Sequence, residues 1–253
     1  MAEPILETRN LVQRFGALVA ADNLSLSLEA GELHAIIGPN GAGKTTLVMQ
    51  LAGELVPTAG RIFLAGEDVT NLSVSARSQK GIARSFQITS LCPEFSALEN
   101  VALAVQAHRG HSFRLWGRAR RDSSLFGPAL ELLEMVDLGS RAGIPAGLLA
   151  HGEQRQLEVA VALGCQPQVL LFDEPMAGMG REDSRRMMRL LKSLKGRYAI
   201  LLIEHDMDAV FALADRITVL VSGRNIATGA PQEIANNAEV RAAYLGERGV
   251  MRA

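Results

Sequence analysis

Residues 38–46 read Gly38-Pro39-Asn40-Gly41-Ala42-Gly43-Lys44-Thr45-Thr46. The stretch fits the pattern G-x4-G-K-[ST]. Its glycines let successive backbone N–H groups turn inward around phosphate oxygens. A helix is expected from Lys44 to about Gly53, and its positive end adds to the attraction for phosphate. In this pattern Lys44 reaches the β- and γ-phosphates, and Thr45 offers its hydroxyl to Mg²⁺. The preceding run, Leu33 to Ile37, is short and wholly apolar apart from His34. Strand, glycine-rich turn and helix in that order predict a site for ATP.

Downstream, Val169-Leu170-Leu171-Phe172 is followed by Asp173-Glu174-Pro175. Four apolar residues make a buried strand, and two carboxylates sit at its C-terminal end. Ligands bind at that end of the strands in open α/β sheets. One carboxylate of this pair can hold Mg²⁺, directly or through water, and its neighbour can orient the water that attacks the γ-phosphate.

The flanking sequence sets the fold class. Ile5 to Leu28 alternates apolar and polar residues in runs broken by Gly16, Asp22 and Asn23, which suits antiparallel strands. Arg61 to Leu64 reads as a strand and Gly66-Glu67-Asp68 as its turn. From about Leu98 to Leu163 the apolar spacing turns helical, as in Ala129-Leu130-Leu132-Leu133-Met135-Val136. Strands at Ala199 to Ile203 and Ile217 to Val221 follow, with a helix over Ser184 to Leu194. Near-continuous apolar strands separated by helices predict a parallel sheet covered on both faces. The helical stretch then looks like an insertion into one α/β core.

Composition excludes several classes. The 253 residues are 48% hydrophobic and 21% charged, with net charge -1. That balance is ordinary for a globular chain and lacks the basic excess of nucleic-acid binders. Aromatic content of 4% also disfavours base-stacking surfaces. No apolar run approaches the roughly 20 residues that span a bilayer. Met1-Ala2-Glu3-Pro4 does not open a signal peptide. Cys92 and Cys165 are too few for a disulfide framework, and a reducing cytoplasm is expected.

A third segment is Leu149-Ala150-His151-Gly152-Glu153-Gln154-Arg155-Gln156-Leu157-Glu158, opening a helix that runs to about Leu163. Here the chain resembles the nucleotide-binding subunits of ABC transporters. Their signature, Leu-Ser-Gly-Gly-Gln, also lies just ahead of the Asp-Glu strand. Leu149 and Gly152 are kept, while Ala150, His151 and Glu153 depart. The resemblance covers essentially the whole chain. It implies a P-loop ABC-type ATPase fold: a mostly parallel core sheet flanked by helices, an antiparallel β subdomain and a helical insertion. The expected organisation is residues 1–90 plus 165–253 as the nucleotide-binding core, and 91–164 as the helical part with the signature segment.

The resemblance also assigns roles. Gln87, in Arg84-Ser85-Phe86-Gln87, matches a family glutamine that contacts Mg²⁺ and water and senses the permease. His205, in Leu202-Ile203-Glu204-His205-Asp206, matches the switch histidine at the γ-phosphate. Phe15 sits where the family places an aromatic ring against adenine. Two such domains face each other in the family. Each ATP lies between the phosphate loop of one chain and Leu149 to Glu153 of the other, so two helix N-termini converge on one triphosphate. The catalytic set is then Glu174, His205, Lys44 and Gln87, and the metal set Thr45, Gln87 and Asp173. Ala150 lacks the hydroxyl that the family serine gives the γ-phosphate. Gly180 replaces a family acid or amide, which bears on communication across the dimer.

Within the family, the likeness is to the first of two ATPases in bacterial branched-chain amino acid importers. Ala177-Gly178-Met179, Leu202 to Met207, the ending Ala243-Tyr244-Leu245-Gly246 and the long region around Gln106 to Phe126 carry it. Urea and amide importers and a lipopolysaccharide-export ATPase are near relatives, and this subunit never touches the solute. The implied partners are a second ABC ATPase, two transmembrane permeases and, indirectly, a periplasmic solute-binding protein, with no nucleic acid. The implied place is the cytoplasmic face of the inner membrane. Arg109, Arg114, Arg118, Arg120 and Arg121 around Trp116 make a basic stretch, either a solvated loop or a patch for lipid or permease. One alternative is a soluble ABC ATPase of cluster assembly, repair or translation. Translation factors of this type usually carry two ATPase domains and repair types long coiled coils, and neither is seen in this sequence. A P-loop kinase would not need Gln87, the signature-like segment and His205 together. A non-catalytic regulator would not need Glu174.

Overall fold

The computed structural model describes residues 3–85, 91–109 and 123–248. Two sheets are built from ten strands among these residues. The first has the order β2-β1-β4-β5 and is antiparallel. Its strands are β1 (Leu6–Phe15), β2 (Leu18–Leu28), β4 (Ala59–Leu64) and β5 (Glu67–Asp68). The second contains β3 (Leu33–Ile37), β6 (Ile82–Ser85), β7 (Val169–Asp173), β8 (Ala199–Ile203), β9 (Arg216–Val221) and β10 (Arg224–Gly229). Its order is β10-β9-β3-β8-β7-β6, parallel except for the β9–β10 hairpin. Ser222 and Gly223 turn that hairpin with φ of 50° and 77°, the paired positive values of a type I′ turn.

Helix α1 (Lys44–Ala52) follows β3, and Gly53 caps it in the left-handed region with φ 85°. The expected end at Gly53 is thus one residue long. Next come α2 (Val74–Gln79), α3 (Ala97–His108), α4 (Ser123–Met135) and α5 (His151–Gly164). The chain closes with α6 (Arg181–Leu194), α7 (Met207–Leu213), α8 (Pro231–Asn236) and α9 (Ala238–Arg248). Helix α6 starts earlier than the expected Ser184. Glu182 and Asp183 in its first turn favour the positive end of the helix dipole.

Both faces of the parallel sheet are buried. Side chains alternate along each strand, so Ile36, Leu171, Leu201 and Ile203 pack with α1 and the antiparallel sheet. Ala35, Ile37, Leu170, Phe172, Ile200 and Leu202 pack instead with α3, α5 and α6. Each fully buried Leu or Ile contributes roughly 1.5–3 kcal/mol relative to exposure, so these strands are held far more by packing than by propensity.

One expectation needs correction. Asp22-Asn23 does not interrupt the second strand. Leu11 pairs Leu24 and Gln13 pairs Ala21, so β2 carries one residue more than β1 across this step. Asn23 has φ 57°, a value asparagine tolerates. The result is a β-bulge. Asp22 reaches the β9–β10 hairpin from it: its N–H donates to Gly223 O at 2.9 Å, and its carboxylate accepts from Arg224 at 2.7 Å.

Arg77 is a second point that pattern reading passes over. It is 1% exposed and donates to the carbonyls of Gln50, Leu51, Thr70 and Leu72. Two of these carbonyls lie in the last turn of α1, where the regular intrahelical donors run out. Burial lowers the Arg77 guanidinium to about 10, opposed by Asp68, and it remains cationic at neutral pH.

Candidate active site

The phosphate-loop residues lie between β3 and α1 and are pinned by their own glycines. A Cβ on Gly38 would stand 2.1 Å from Leu220 O, and one on Gly43 2.2 Å from Ala20 O. Both backbones have positive φ, at 153° and 98°. Loop, β2 and β9–β10 hairpin therefore touch backbone to backbone, and Gly223 N–H donates to Ala42 O at 3.0 Å. Lys44 is 6% exposed. Its Nζ donates to Gly38 O at 2.7 Å and Pro39 O at 2.9 Å.

A pocket of about 280 Å³ opens over this loop. Asn40 through Thr46 form its floor, Glu174 and His205 one side, and Phe15, Leu18 and Ala20 another. Phe15 is 49% exposed and Leu18 65%, so the hairpin presents an apolar, solvent-facing end rather than a core contribution. An exposed aromatic beside a phosphate loop is suited to stacking on a base.

Glu174 follows β7 with φ 53°, in the left-handed region that only glycine visits freely. Its N–H donates to Ile203 O at 2.9 Å, which ties it to the end of β8. His205 Nε2 stands 2.6 Å from Glu174 Oε1. Asp173 is 3% exposed. Its Oδ2 accepts from Arg84 at 3.2 Å, while Oδ1 is buried with no hydrogen-bond partner. Burial pushes the Asp173 carboxyl up, Arg84 opposes this, and Glu174 adds to it.

Sequence reading missed Glu204. It is 5% exposed and links two turns of the site. Oε1 accepts from Met176 N–H at 2.9 Å, and Oε2 from His205 N–H at 3.0 Å. Burial raises its carboxyl, opposed by these backbone donors. The signal was in plain sight, since a carboxylate ending an apolar strand must find buried donors.

The signature-like segment lies elsewhere. Leu149, Ala150, His151, Gly152 and Glu153 do not line the pocket over the phosphate loop. Ala150 caps α5 without a side-chain hydrogen bond, and Glu153 Oε2 accepts from its N–H at 2.9 Å. Burial works against the Glu153 charge, but Ala150 N–H and Arg141 hold its carboxyl below the usual range. A Cβ on Gly152 would sit 2.6 Å from Asp183 Cγ, so the glycine has a packing reason within the chain. Gln87, Phe86 and the arginines 114, 118, 120 and 121 with Trp116 lie outside the described residues. Cys92 and Cys165 are free thiols, as the cysteine count implied.

The chain is similar to known proteins over nearly its whole length. The family model described as "ABC transporter" matches residues 21–177, from β2 to the turn after Glu174. The chain belongs to the ABC transporter family. It is an ATP-hydrolysing cassette of that family, and nucleotide is its ligand. A second family model, "Branched-chain amino acid ATP-binding cassette transporter", matches residues 224–250 of the cassette. The high-affinity branched-chain amino acid transport ATP-binding protein BraF of Pseudomonas aeruginosa is 38% identical over 98% of this chain and 100% of its own. A solved ATP-binding cassette of an ABC transporter in its ADP conformation superposes with a TM-score of 0.86 at 28% identity, over 97% of this chain and all of that one. Another relative, a dimeric cassette in a post-hydrolysis state with ADP and Pi, gives 0.75 at 25% identity over 89% of this chain and 98% of its own. Among the described residues of the cassette, no helix is long and apolar enough to cross a membrane.

Proposed function

We propose that this cassette energises the import of branched-chain amino acids into a bacterial cell. It works at the cytoplasmic face of the inner membrane, with a second ATPase and two permease subunits. A periplasmic solute-binding protein completes the system. The full-length likeness to BraF carries this reading, and the branched-chain model over the last strand and helices supports it.

In the proposed chemistry, Lys44 and the loop amides from Gly41 to Thr46 hold the triphosphate, and Phe15 covers the adenine. Glu174 takes up the proton side of the attacking water, and His205 positions Glu174. The site residues also fit Mg²⁺. Asp173 Oδ1 is an orphaned buried carboxylate oxygen, and Thr45 offers a hydroxyl in the adjoining pocket. Among the described residues no cluster of three or more His, Cys, Asp or Glu could form an all-protein cage. That suits Mg²⁺, which takes one or two protein ligands and fills its shell with phosphate and water. When bound, the ion supplies charge stabilisation on the phosphoryl oxygens. Gln87 belongs to the proposed metal and catalytic sets on resemblance alone.

Leu149 to Glu153 serve the second ATP of a dimer in this reading, which fits their separation from the pocket of their own chain. We read α3, α4 and α5, within residues 91–164, as a helical unit borne by a core of residues 1–90 and 165–253. Each of these three helices packs against the other two, which supports that division.

The test is uptake of labelled leucine, other amino acids and urea in cells with and without this chain. Loss of leucine, isoleucine and valine uptake alone is expected. Unchanged branched-chain uptake with loss of urea uptake would overturn the solute assignment.

A further inference from the structure

Arg84 lies on β6, beside Leu171 of β7. Its side chain is 9% exposed and spans two carboxylates. Nη1 donates to Glu54 Oε2 at 2.6 Å, and Nη2 to Asp173 Oδ2 at 3.2 Å. Glu54 belongs to the turn that ends α1, where its N–H donates to Met49 O at 2.9 Å. The guanidinium therefore ties the far end of the phosphate-loop helix to the metal-side carboxylate. Glu54 and Arg84 also line a cavity of about 120 Å³ bounded by Glu158 and Cys165 of α5 and its cap, so the outer end of the bridge is open to solvent-sized molecules.

The two arms are unequal. The short contact goes to Glu54 and the longer one to Asp173. A buried guanidinium placed on a single acid would take that acid's charge for itself. Shared with Glu54, it fixes Oδ2 in place without its whole charge resting on Asp173. Its other oxygen, Oδ1, is the one with no partner. A carboxylate held at one oxygen presents the other in a fixed direction, which free rotation would not do.

We propose that Arg84, anchored by Glu54, is a positioning residue that orients Asp173 for the metal of Mg·ATP. The proposal rests on the reading of Asp173 given above. Lysine cannot replace it in full, because one ammonium cannot span both acids as a planar fork does.

The experiment compares the full-length wild type with Arg84→Met, Arg84→Lys and Glu54→Gln. Mn²⁺ retained in the presence of ATP is measured by electron paramagnetic resonance, and ATP binding in EDTA by a fluorescent nucleotide. Arg84→Met is expected to weaken Mn²⁺ retention by on the order of tenfold or more, the usual scale for losing a partner that orients a metal ligand. ATP binding in EDTA is expected to stay within about twofold of wild type. Arg84→Lys falls between the two. Glu54→Gln shifts Mn²⁺ retention in the same direction, because Arg84 then turns its charge onto Asp173. Mn²⁺ retention unchanged or tighter in Arg84→Met overturns the proposal. If circular dichroism shows that variant unfolded, Glu54→Gln decides alone, with unchanged retention overturning it. A wild type that holds no Mn²⁺ with ATP overturns the metal reading of Asp173 and this proposal together, an outcome distinct from a difference confined to the Arg84 variants.

Discussion

His205 Nε2 and Glu174 Oε1 lie 2.6 Å apart, joining the ends of β8 and β7 across the mouth of the pocket. A carboxylate accepts, so the ring nitrogen donates, and the pair fixes where Glu174 holds its second oxygen. Glu174→Gln keeps the shape and removes the proposed base. ATP binding should persist while hydrolysis falls by about 10²–10⁴-fold, the range for loss of a general base. His205→Ala should fall less, and the double variant little further than Glu174→Gln, because the two act as a unit. Phosphate release under saturating ATP measures all three, and additive losses would separate the residues.

Much of this was legible in the sequence because the deciding signals are local. The pattern from Gly38 to Thr46 specifies backbone conformation, and Val169 to Glu174 specifies a buried strand ending in acids. The resemblance supplied Phe15 and His205, whose neighbourhood with Lys44 is set by contacts far apart in sequence. What stayed hidden depends on long-range geometry. Asp22-Asn23 reads as a break between runs, but it is a bulge stabilised by Gly223 and Arg224, some 200 residues away. Arg84 and Glu204 stand inside quoted phrases without a role of their own, since their importance lies in which buried oxygen or N–H the fold brings within reach.

Phe15 offers the pocket an exposed ring instead of a core contact. Phe15→Ala should therefore cost little stability but weaken ATP binding by roughly 1–3 kcal/mol, the worth of stacking one base on an aromatic ring. Phe15→Tyr should restore it. Titration with ATP and with inorganic triphosphate separates the causes, since triphosphate has no base to stack. Equal losses for both ligands would deny the ring its place at the adenine.

Gly43 meets the backbone of another strand, so its substitution cannot be absorbed by a side-chain shift. Gly43→Ala places a methyl group 2.2 Å from Ala20 O in a residue with φ 98°. The loop must move away from β2, and nucleotide affinity should fall by at least about tenfold, with a lower melting temperature. Gly41→Ala has nothing within 4 Å of the added carbon, although φ 77° strains it. It should be the milder of the two in melting temperature. The reverse order would contradict the packing account.

His34 sets an acid limit to stability. It is 1% exposed, bonded to Ser27 O at 3.2 Å and Thr218 Oγ1 at 2.8 Å, and faces Glu32 and Arg216. Burial, with Arg216 adding, lowers its pKa from 6.5 to about 3, while Ser27 O opposes. The unfolded chain therefore binds the extra proton first as pH falls. The stability due to neutral His34 is complete above about pH 6.5 and is lost progressively toward pH 3. Between pH 6.5 and 5 the loss should be roughly 2 kcal/mol. Urea melts across that interval should show it, and His34→Gln should flatten the slope over that range. A slope unchanged in the variant would assign the acid sensitivity to the carboxylates.

Glu174 also lets backbone strain be measured directly. Elsewhere in a helix or strand, glycine is less stable than alanine by roughly 0.5–1 kcal/mol, because it orders more backbone. At φ 53° the sign should reverse. Alanine keeps a β-carbon pressed against its own backbone, at a cost of about 1–2 kcal/mol in left-handed geometry, and glycine does not. Glu174→Gly and Glu174→Ala both delete the carboxylate and its contact with His205, so their difference isolates the backbone term. Chemical denaturation should rank the glycine variant about 1 kcal/mol above the alanine variant, with hydrolysis abolished in both. An alanine variant as stable as the glycine one would mean that the turn relaxes once the side chain is gone, and that the bond to His205 holds Glu174 in the left-handed region.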